Sequence, residues 1–435
     1  MQRLVKPLAF GPVAAKFSQR VSGCSEETQK TLQTNILGED GDRSLINSFF
    51  KDMVPPLMPG RSLDAMNRIM TQSVAQSIDE LMQDGAARIN LSTWLRHHIT
   101  IATTKATYGP ANPFLDQHIE DAFWTFERNL LLILVNILPY LTTSTAIRAR
   151  KIVSDAFLDY FQKNKHAQGS ALVQTRVDNA REYGVPIEDI AGFEVGGAIA
   201  VLVNTYPTAF WMIHYVFSNT QVLADCREEL AGITKSITDA QGTTTHHIDM
   251  LSIKTNCPIL TSTLQEVLRH RAVGTSVREV MEDTLLDGQY LLRKGCTLLI
   301  PTDVLHSDRA LWGDDVAEFN HRRFLKSPGK KLPNPVAFRA FGGGTTLCPG
   351  RHFASTEVMA VASIFIARFD ISPVGGQWPN AEVKNINLWA QIVEADPNLE
   401  INVVPREVFG QGRHKWEFGL SDSEMLFALA AEDRG

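Results

Sequence analysis

Three consecutive glycines run into a single cysteine and then into a helix, and no other stretch restricts the fold of this chain so tightly. The segment reads Phe341-Gly342-Gly343-Gly344-Thr345-Thr346-Leu347-Cys348-Pro349-Gly350-Arg351-His352-Phe353-Ala354. Glycine lets the backbone take positive φ or lie close against a flat ligand. A lone cysteine just ahead of a helix faces amide N–H groups and the positive end of the helix dipole, both of which favour ionised sulfur. That geometry suits a thiolate held against a metal. A Gly-rich turn around a buried, inert cysteine is the competing explanation, and the spacing decides between them.

Phe341-x-x-Gly344-x-x-x-Cys348-x-Gly350-Arg351 resembles the heme-binding signature of the cytochrome P450 family at each of those positions. The resemblance implies that Cys348 is the axial ligand of the iron in heme b (iron protoporphyrin IX), with Phe341, Gly344 and Gly350 shaping the cofactor contact. Thiolate ligation pushes electron density onto heme iron and favours O–O cleavage. Two residues before the cysteine the family usually carries a basic residue for a heme propionate. Here it is Thr346, so that charge must be met partly from elsewhere.

The totals exclude several other classes. A length of 435 residues allows a large core. A formal charge of -6 gives no electrostatic case for nucleic acid. The five cysteines, Cys24, Cys226, Cys257, Cys296 and Cys348, form no CxxC pair, so neither a disulfide framework nor a zinc site is indicated. No apolar run approaches the ~20 residues needed to span a bilayer, and Leu130 to Leu138 is interrupted by Asn136 and stopped by Pro139. The N-terminus lacks the apolar core of a signal peptide.

Residues 1 to about 60 read as mixed, with a polar loop around Gly38 to Asp42 and a Pro-rich turn at Pro55, Pro56 and Pro59. From Arg61 helical periodicity takes over: Leu63, Met66, Ile69, Met70, Val74 and Ile78 recur three or four apart. Further helices are expected over 91–107, 115–138, 144–163 and 170–183. The longest is expected over 187–218, apolar on nearly every side and bent at Pro207, which cannot bond the carbonyl of Val203. Asn204 and Thr205 sit at that bend, where a freed carbonyl and two polar side chains offer a place for dioxygen or water.

In the P450 family the corresponding helix carries an acid or amide followed by threonine beside the iron. Val201-Leu202-Val203-Asn204-Thr205 keeps the threonine, and Asn-Thr followed by Pro resembles the steroid 7α-hydroxylase and prostacyclin synthase branch. Asn204 cannot titrate and can only orient water or substrate. Proton delivery is then expected to depend on Thr205 and ordered water.

Glu266 and Arg269 stand three apart on one helix, and Phe319-Asn320-His321-Arg322-Arg323-Phe324 follows before Cys348. These look like the family's Glu-x-x-Arg pair and its later arginine, Arg323, which together fix the cysteine loop. The family's proline in the second motif is His321 here. Alternating apolar residues predict strands over Ser276–Val280, over 284–292 with an Asp-Gly turn at Asp287-Gly288, and over 295–301. Arg278 matches the family arginine that reaches a propionate. His306 reads as a hydrogen-bonded loop histidine. A helix over 354–369 and a strand over 400–404 complete the pattern.

The resemblance implies a mainly α fold with a small β part, one cytochrome P450 domain over 1–435. Its parts are an atypical or truncated segment at 1–60, the central helix at 187–218 and the heme-binding loop at 341–354. Family members usually carry a membrane anchor, a first helix and two strands before this point, which are not recognisable here. The implied function is a heme-thiolate monooxygenase that inserts one oxygen atom from O2 into a lipophilic steroid, terpenoid or other secondary metabolite. With no nucleotide-binding fingerprint in the chain, electrons are expected from a separate NADPH-cytochrome P450 reductase or similar donor. Lys326, Lys330, Lys331, Arg339, Arg351 and His352 are the candidate docking face for it. The helix at 115–138 and the turn at Pro139-Tyr140 are expected to roof the substrate pocket. The family also implies the cytosolic face of the endoplasmic reticulum and peripheral membrane contact. Two alternatives stand beside this reading: a heme-thiolate isomerase or dehydratase that needs no reductant, favoured by Asn204, and a degenerate heme-binding protein.

Overall fold

Four helices close a ring around the larger apolar core: Arg61–Leu81, Leu91–Tyr108, Thr205–Phe217 and Arg351–Arg368, each packed on its neighbours. The computed structural model describes residues 7–38, 43–82, 85–135, 143–326, 329, 332–380, 390–407 and 413–421. In the first of the four helices Leu63, Met66, Met70, Val74 and Ile78 are all buried, as their spacing requires. Ile69, grouped with that face by spacing, instead points outward.

A second core lies beside the first, where Ser144–Gln162 packs on Gln117–Arg128 and on Ile187–Leu202, and Gly11–Ser22 covers the same central element. Val201 and Tyr206 pack against both cores. They flank the point at which the central element breaks.

That break corrects the expectation of one bent helix over 187–218. The chain forms two helices, Ile187–Leu202 and Thr205–Phe217, interrupted at Val203 and Asn204. The proline ring would collide with the carbonyl four residues back, and its missing N–H leaves that carbonyl unbonded. Restarting at Thr205 puts Pro207 third in the new helix, where an N–H has no intrahelical partner to lose. The Asn204 carbonyl instead accepts from the Thr208 hydroxyl at 2.7 Å. The helix expected over 115–138 is likewise divided, into Gln117–Arg128 and Leu130–Val135; positions 136–142, including Pro139 and Tyr140, lie outside the described residues.

The N-terminal part is more ordered than its sequence indicated. Leu8–Ala9 pairs antiparallel with Thr275–Val280, and helices follow at Gly11–Ser22, Glu26–Gln33, Leu45–Asp52 and Val54–Leu57. Glu26–Gln33 carries almost no apolar stripe to announce it. Its start is set by the Ser25 hydroxyl, which accepts from the Thr28 amide. The Gly38 to Asp42 loop lies largely outside the described residues.

Thr275–Val280 also pairs antiparallel with Thr297–Pro301. The hairpin Thr284–Leu286 with Tyr290–Leu292 closes through the three residues Asp287, Gly288 and Gln289, the first two at positive φ (52° and 66°), the backbone an Asp-Gly turn favours. Strands at Ala87–Asn90, Lys235–Thr238, Thr243–Asp249 and Arg413–Gly419 were not foreseen. Ala87–Asn90 and Phe369–Pro373 both pair with Glu400–Pro405, and Arg413–Gly419 runs parallel to Thr243–Asp249. Among the described residues no helix is long and apolar enough to cross a membrane.

Candidate heme site

The cysteine loop folds back on itself before entering the Arg351–Arg368 helix. The Cys348 amide donates to the Phe341 carbonyl at 2.9 Å, closing a turn in which Gly342 and Gly344 stand at positive φ of 79° and 61°. Arg351 donates from Nη1 to the Cys348 carbonyl at 3.2 Å. Burial pushes the Cys348 thiol up, against the opposing pull of the Gly350 and Arg351 amides and the Arg351 guanidinium. Coordination to a metal ion deprotonates such a thiol.

Two guanidinium groups border this loop. Arg278 donates from Nη2 to the Thr346 hydroxyl at 2.6 Å and lies over the Phe10 ring at 5.3 Å. Arg339 lies against Gly343, where a Cβ would come within 1.5 Å of its Nη1 and would displace the guanidinium from this position. Burial, and then the neighbouring Arg339 charge, lower the Arg278 pKa. Two cations held this close together call for anionic partners. The role of Arg339 was missed from sequence, where it appeared only as one of several basic residues near the loop.

Behind the loop, Glu266 is fully buried and accepts from Arg269 through both oxygens at 2.9 Å, from Arg323 Nε at 3.0 Å and from the Asn320 amide at 3.0 Å. Burial raises the carboxyl pKa, but hydrogen bonds from Arg269 and His270 and the charges of Arg269 and Arg323 outweigh it and hold the group down at about 2. The structure thus brings together the three residues named from sequence. His306, buried at the end of Thr302–His306, adds a fourth member: its Nδ1 faces the Arg269 carbonyl at 3.0 Å and its Nε2 accepts the Arg339 amide at 2.9 Å. His321, in place of the family's proline, takes up a contact of its own. With Arg322 it grips buried Asp225, at 2.6 Å and 2.7 Å, and ties the segment to the Thr220–Ile233 helix.

At the central break, Thr205 is buried and opens the second helix, while Asn204 Oδ1 accepts the Gln391 amide at 3.3 Å. Thr205–Phe217 packs directly on Arg351–Arg368, the helix that follows Cys348.

The family model described as cytochrome P450 matches residues 27–398. The chain belongs to the cytochrome P450 family. It is 34% identical over 421 residues to cytochrome P450 monooxygenase nodJ of Hypoxylon pulicicidum, an alignment covering 95% of this chain and 79% of that protein. It is 31% identical over 384 residues to a cytochrome P450 monooxygenase of Gibberella zeae, covering 86% and 71% respectively. A 25-hydroxycholesterol 7-alpha-hydroxylase of Rattus norvegicus is 26% identical over 390 residues, covering 82% of this chain and 88% of that protein. Among solved structures, retinoic acid bound cyanobacterial CYP120A1 superposes with a TM-score of 0.67 at 18% identity, covering 84% of this chain and 82% of that one. That likeness concerns the fold.

As a P450 the chain is a heme-thiolate monooxygenase of a family that binds heme b and draws electrons from a redox partner, and its fungal relatives point to secondary metabolism. Its residues fit that group. One sulfur stands at the mouth of a glycine-lined turn, and the Arg278 and Arg339 guanidinium groups lie beside the same turn, a donor set matching a flat metal complex with two carboxylates. The basic docking face contracts in the folded protein. Arg351 and His352 are buried, Lys330 and Lys331 lie outside the described residues, and Lys326 is exposed.

Proposed function

We propose that this P450 inserts one atom of dioxygen into a lipophilic small molecule of the steroid or terpenoid kind, with electrons from a separate NADPH-cytochrome P450 reductase. In this reading Cys348 supplies the sulfur ligand, with Phe341, Gly344 and Gly350 forming the turn that presents it. When bound, heme b supplies the oxygen-activating iron, and the thiolate strengthens its electron donation. Arg278 and Arg339 neutralise the carboxylates of the group, and Glu266, Arg269 and Arg323 hold the loop still. Thr205 and Asn204 order the oxygen side, Asn204 by orienting water rather than by giving up a proton.

The observation that carries the reading is the joining of the cysteine turn to the buried Glu266 network through His306, a rigid mount for one sulfur atom. Apolar surface from two cores meets at the central break, which favours a hydrophobic substrate. The match to a bifunctional cytochrome P450/NADPH--P450 reductase of Gibberella moniliformis, 31% identical over 159 residues (36% of this chain and 13% of that protein), supports the choice of donor. Attachment to the cytosolic face of the endoplasmic reticulum, with peripheral membrane contact, is part of the same proposal.

The carbon monoxide difference spectrum of the reduced protein tests the ligand. A strongly red-shifted Soret band is expected, and Cys348→Ala should abolish it. Folded protein without that band refutes thiolate ligation. Turnover that proceeds without NADPH and reductase would mark an isomerase or dehydratase instead.

A further inference from the structure

Two histidines far apart in the chain meet on the sheet formed by Lys235–Thr238, Thr243–Asp249 and Arg413–Gly419. Thr243–Asp249 lies in the middle, and Arg413–Gly419 is an edge strand paired on one side only. His246 Nε2 and His414 Nδ1 stand 3.0 Å apart, a hydrogen-bond distance. The other nitrogen of His246, Nδ1, is 2.8 Å from the Ser236 hydroxyl on the third strand, and the Trp416 ring stacks on His246 at 4.5 Å. One buried imidazole thus links all three strands. The same face carries Trp416 and Phe418, with Leu420 just beyond, and these side chains belong to the larger core. Arg68 of the Arg61–Leu81 helix donates to the Leu420 carbonyl, and Ser421 donates to Asp249 at 3.0 Å and 3.1 Å.

A hydrogen bond between two imidazoles needs a proton on one nitrogen and a lone pair on the other. It survives with both rings neutral or with one charged. When both are protonated, two N–H groups and two positive charges confront each other across 3.0 Å, and no lone pair is left to accept. Burial, then the His414 charge, lower the His246 pKa. Trp416 offers its π-face to one cation but supplies no counter-charge for a second. Other ionisable groups of the sheet and its packing partners point or pair elsewhere. Strand alternation puts Lys235, His247, Asp249, Arg413, Lys415 and Glu417 on the opposite face, where Lys415 pairs with Glu417 at 2.7 Å. On the helices packed against the sheet, Asp79 pairs with Arg368 at 2.6 Å and Asp64 acts on Lys254.

We propose that His246 and His414 form an acid-sensitive clasp, which holds Arg413–Gly419 in the sheet while at least one ring is neutral and favours its release once both carry protons. Histidine changes charge near physiological pH, and an edge strand is the part of a sheet that opens at least cost. The sign follows from His246: a base with a depressed folded pKa stabilises fully above 6.5 and loses that contribution as pH falls through its folded value. Release uncovers Trp416, Phe418 and the flank of Arg61–Leu81, one of the four helices around the larger core, so acid loosens the fold from this edge. None of these residues belongs to the heme site.

The test is hydrogen–deuterium exchange of the full chain loaded with heme, read as protection factors so that the intrinsic pH dependence of exchange cancels. From about pH 7.5 to about pH 5, protection over 413–419 and 243–249 should fall, by up to about ten-fold per pH unit for each proton taken up on release. Protection over 400–405, in a separate sheet, should hold. His414→Gln keeps a hydrogen-bonding side chain without the charge, and should leave 413–419 protected with a flatter pH profile. If that variant does not fold, His414→Arg decides: a permanent positive charge should move the loss of protection to higher pH. Protection over 413–419 that ignores pH, that falls alike in wild type and His414→Gln, or that is lost together with 400–405 overturns the clasp, as does a wild-type profile in His414→Arg. No readout involves turnover, so the result stands apart from the monooxygenase reading.

Discussion

His306 receives the backbone amide of Arg339 on Nε2 at 2.9 Å, and its other ring nitrogen faces the carbonyl of Arg269 at 3.0 Å. One imidazole therefore joins the buried ion-pair network to the strand of chain that leads into the cysteine turn. For both contacts to hold, Nδ1 must carry the proton and Nε2 must be bare, which only the neutral ring allows.

Burial is the main reason that ring resists protonation, down to about 4 from an ordinary 6.5. A base whose folded pKa is depressed loses its stabilising contribution as pH falls. That contribution should be complete above 6.5 and should decline toward about 4. Denaturant midpoints measured across that window should fall in the wild type and stay flatter in His306→Gln. Parallel curves would mean the imidazole does not titrate in this range. At neutral pH, His306→Ala should cost about 1–3 kcal/mol, from a stranded amide and carbonyl.

The Glu266 network predicts a larger loss. Removing one member of a buried triad strands charge, so Arg323→Ala or Glu266→Ala should each cost roughly 3–5 kcal/mol and release heme from protein that still expresses. The double variant should cost less than the sum of the single ones, because the second deletion removes a charge the first left uncompensated. Strict additivity would show that the two residues are not coupled.

Glu357 makes the opposite kind of prediction. It is fully buried between helices, accepts the Thr103 hydroxyl at 2.6 Å on one oxygen and has no partner on the other among the described residues. Burial pushes it up to about 8, against the Thr103 hydrogen bond. An acid with a raised folded pKa contributes fully below the unfolded value of 4.5, and that contribution drains away as pH climbs to about 8. Thermal melts over this interval should show a falling Tm in the wild type and a shallower trend in Glu357→Gln. Identical slopes would rule the residue out.

Arg278 and Thr346 predict an effect on cofactor retention. Arg278→Ala removes a cation beside the turn and the 2.6 Å bond to Thr346, so heme transfer to an acceptor protein should quicken about ten-fold, the equivalent of one charge-assisted hydrogen bond. Thr346→Val removes only the hydroxyl and should have a smaller effect. Equal effects would assign the role to the hydrogen bond rather than to the charge.

Much of this arrangement could be read from residues in order. The cysteine turn, the Glu266–Arg269 pair and Arg323 stand in short motifs whose spacing survives folding unchanged, and the apolar repeat from Leu63 to Ile78 fixes a buried face by its period alone. Misreadings occurred where local signals were weak or were overridden. Glu26–Gln33 is a polar helix held by its cap. Thr243–Asp249 and Arg413–Gly419, far apart in the chain, become strands only through each other. Arg351 and His352 looked like surface cations because nothing in their neighbourhood reports that their helix is buried on all sides.

What the order of amino acids determined by itself was the chemistry: one sulfur in a glycine turn, the ionic brace behind it, and a proline that disturbs the central helix. Tertiary packing decided where charge would be tolerated. It made His306 a neutral bridge, brought Arg339 against Gly343, and set Thr103 against the buried Glu357. Desolvation and through-space charge depend on distance in three dimensions, and residues more than two hundred and fifty positions apart, such as Thr103 and Glu357, acquire a shared electrostatic environment only when the chain has closed around them.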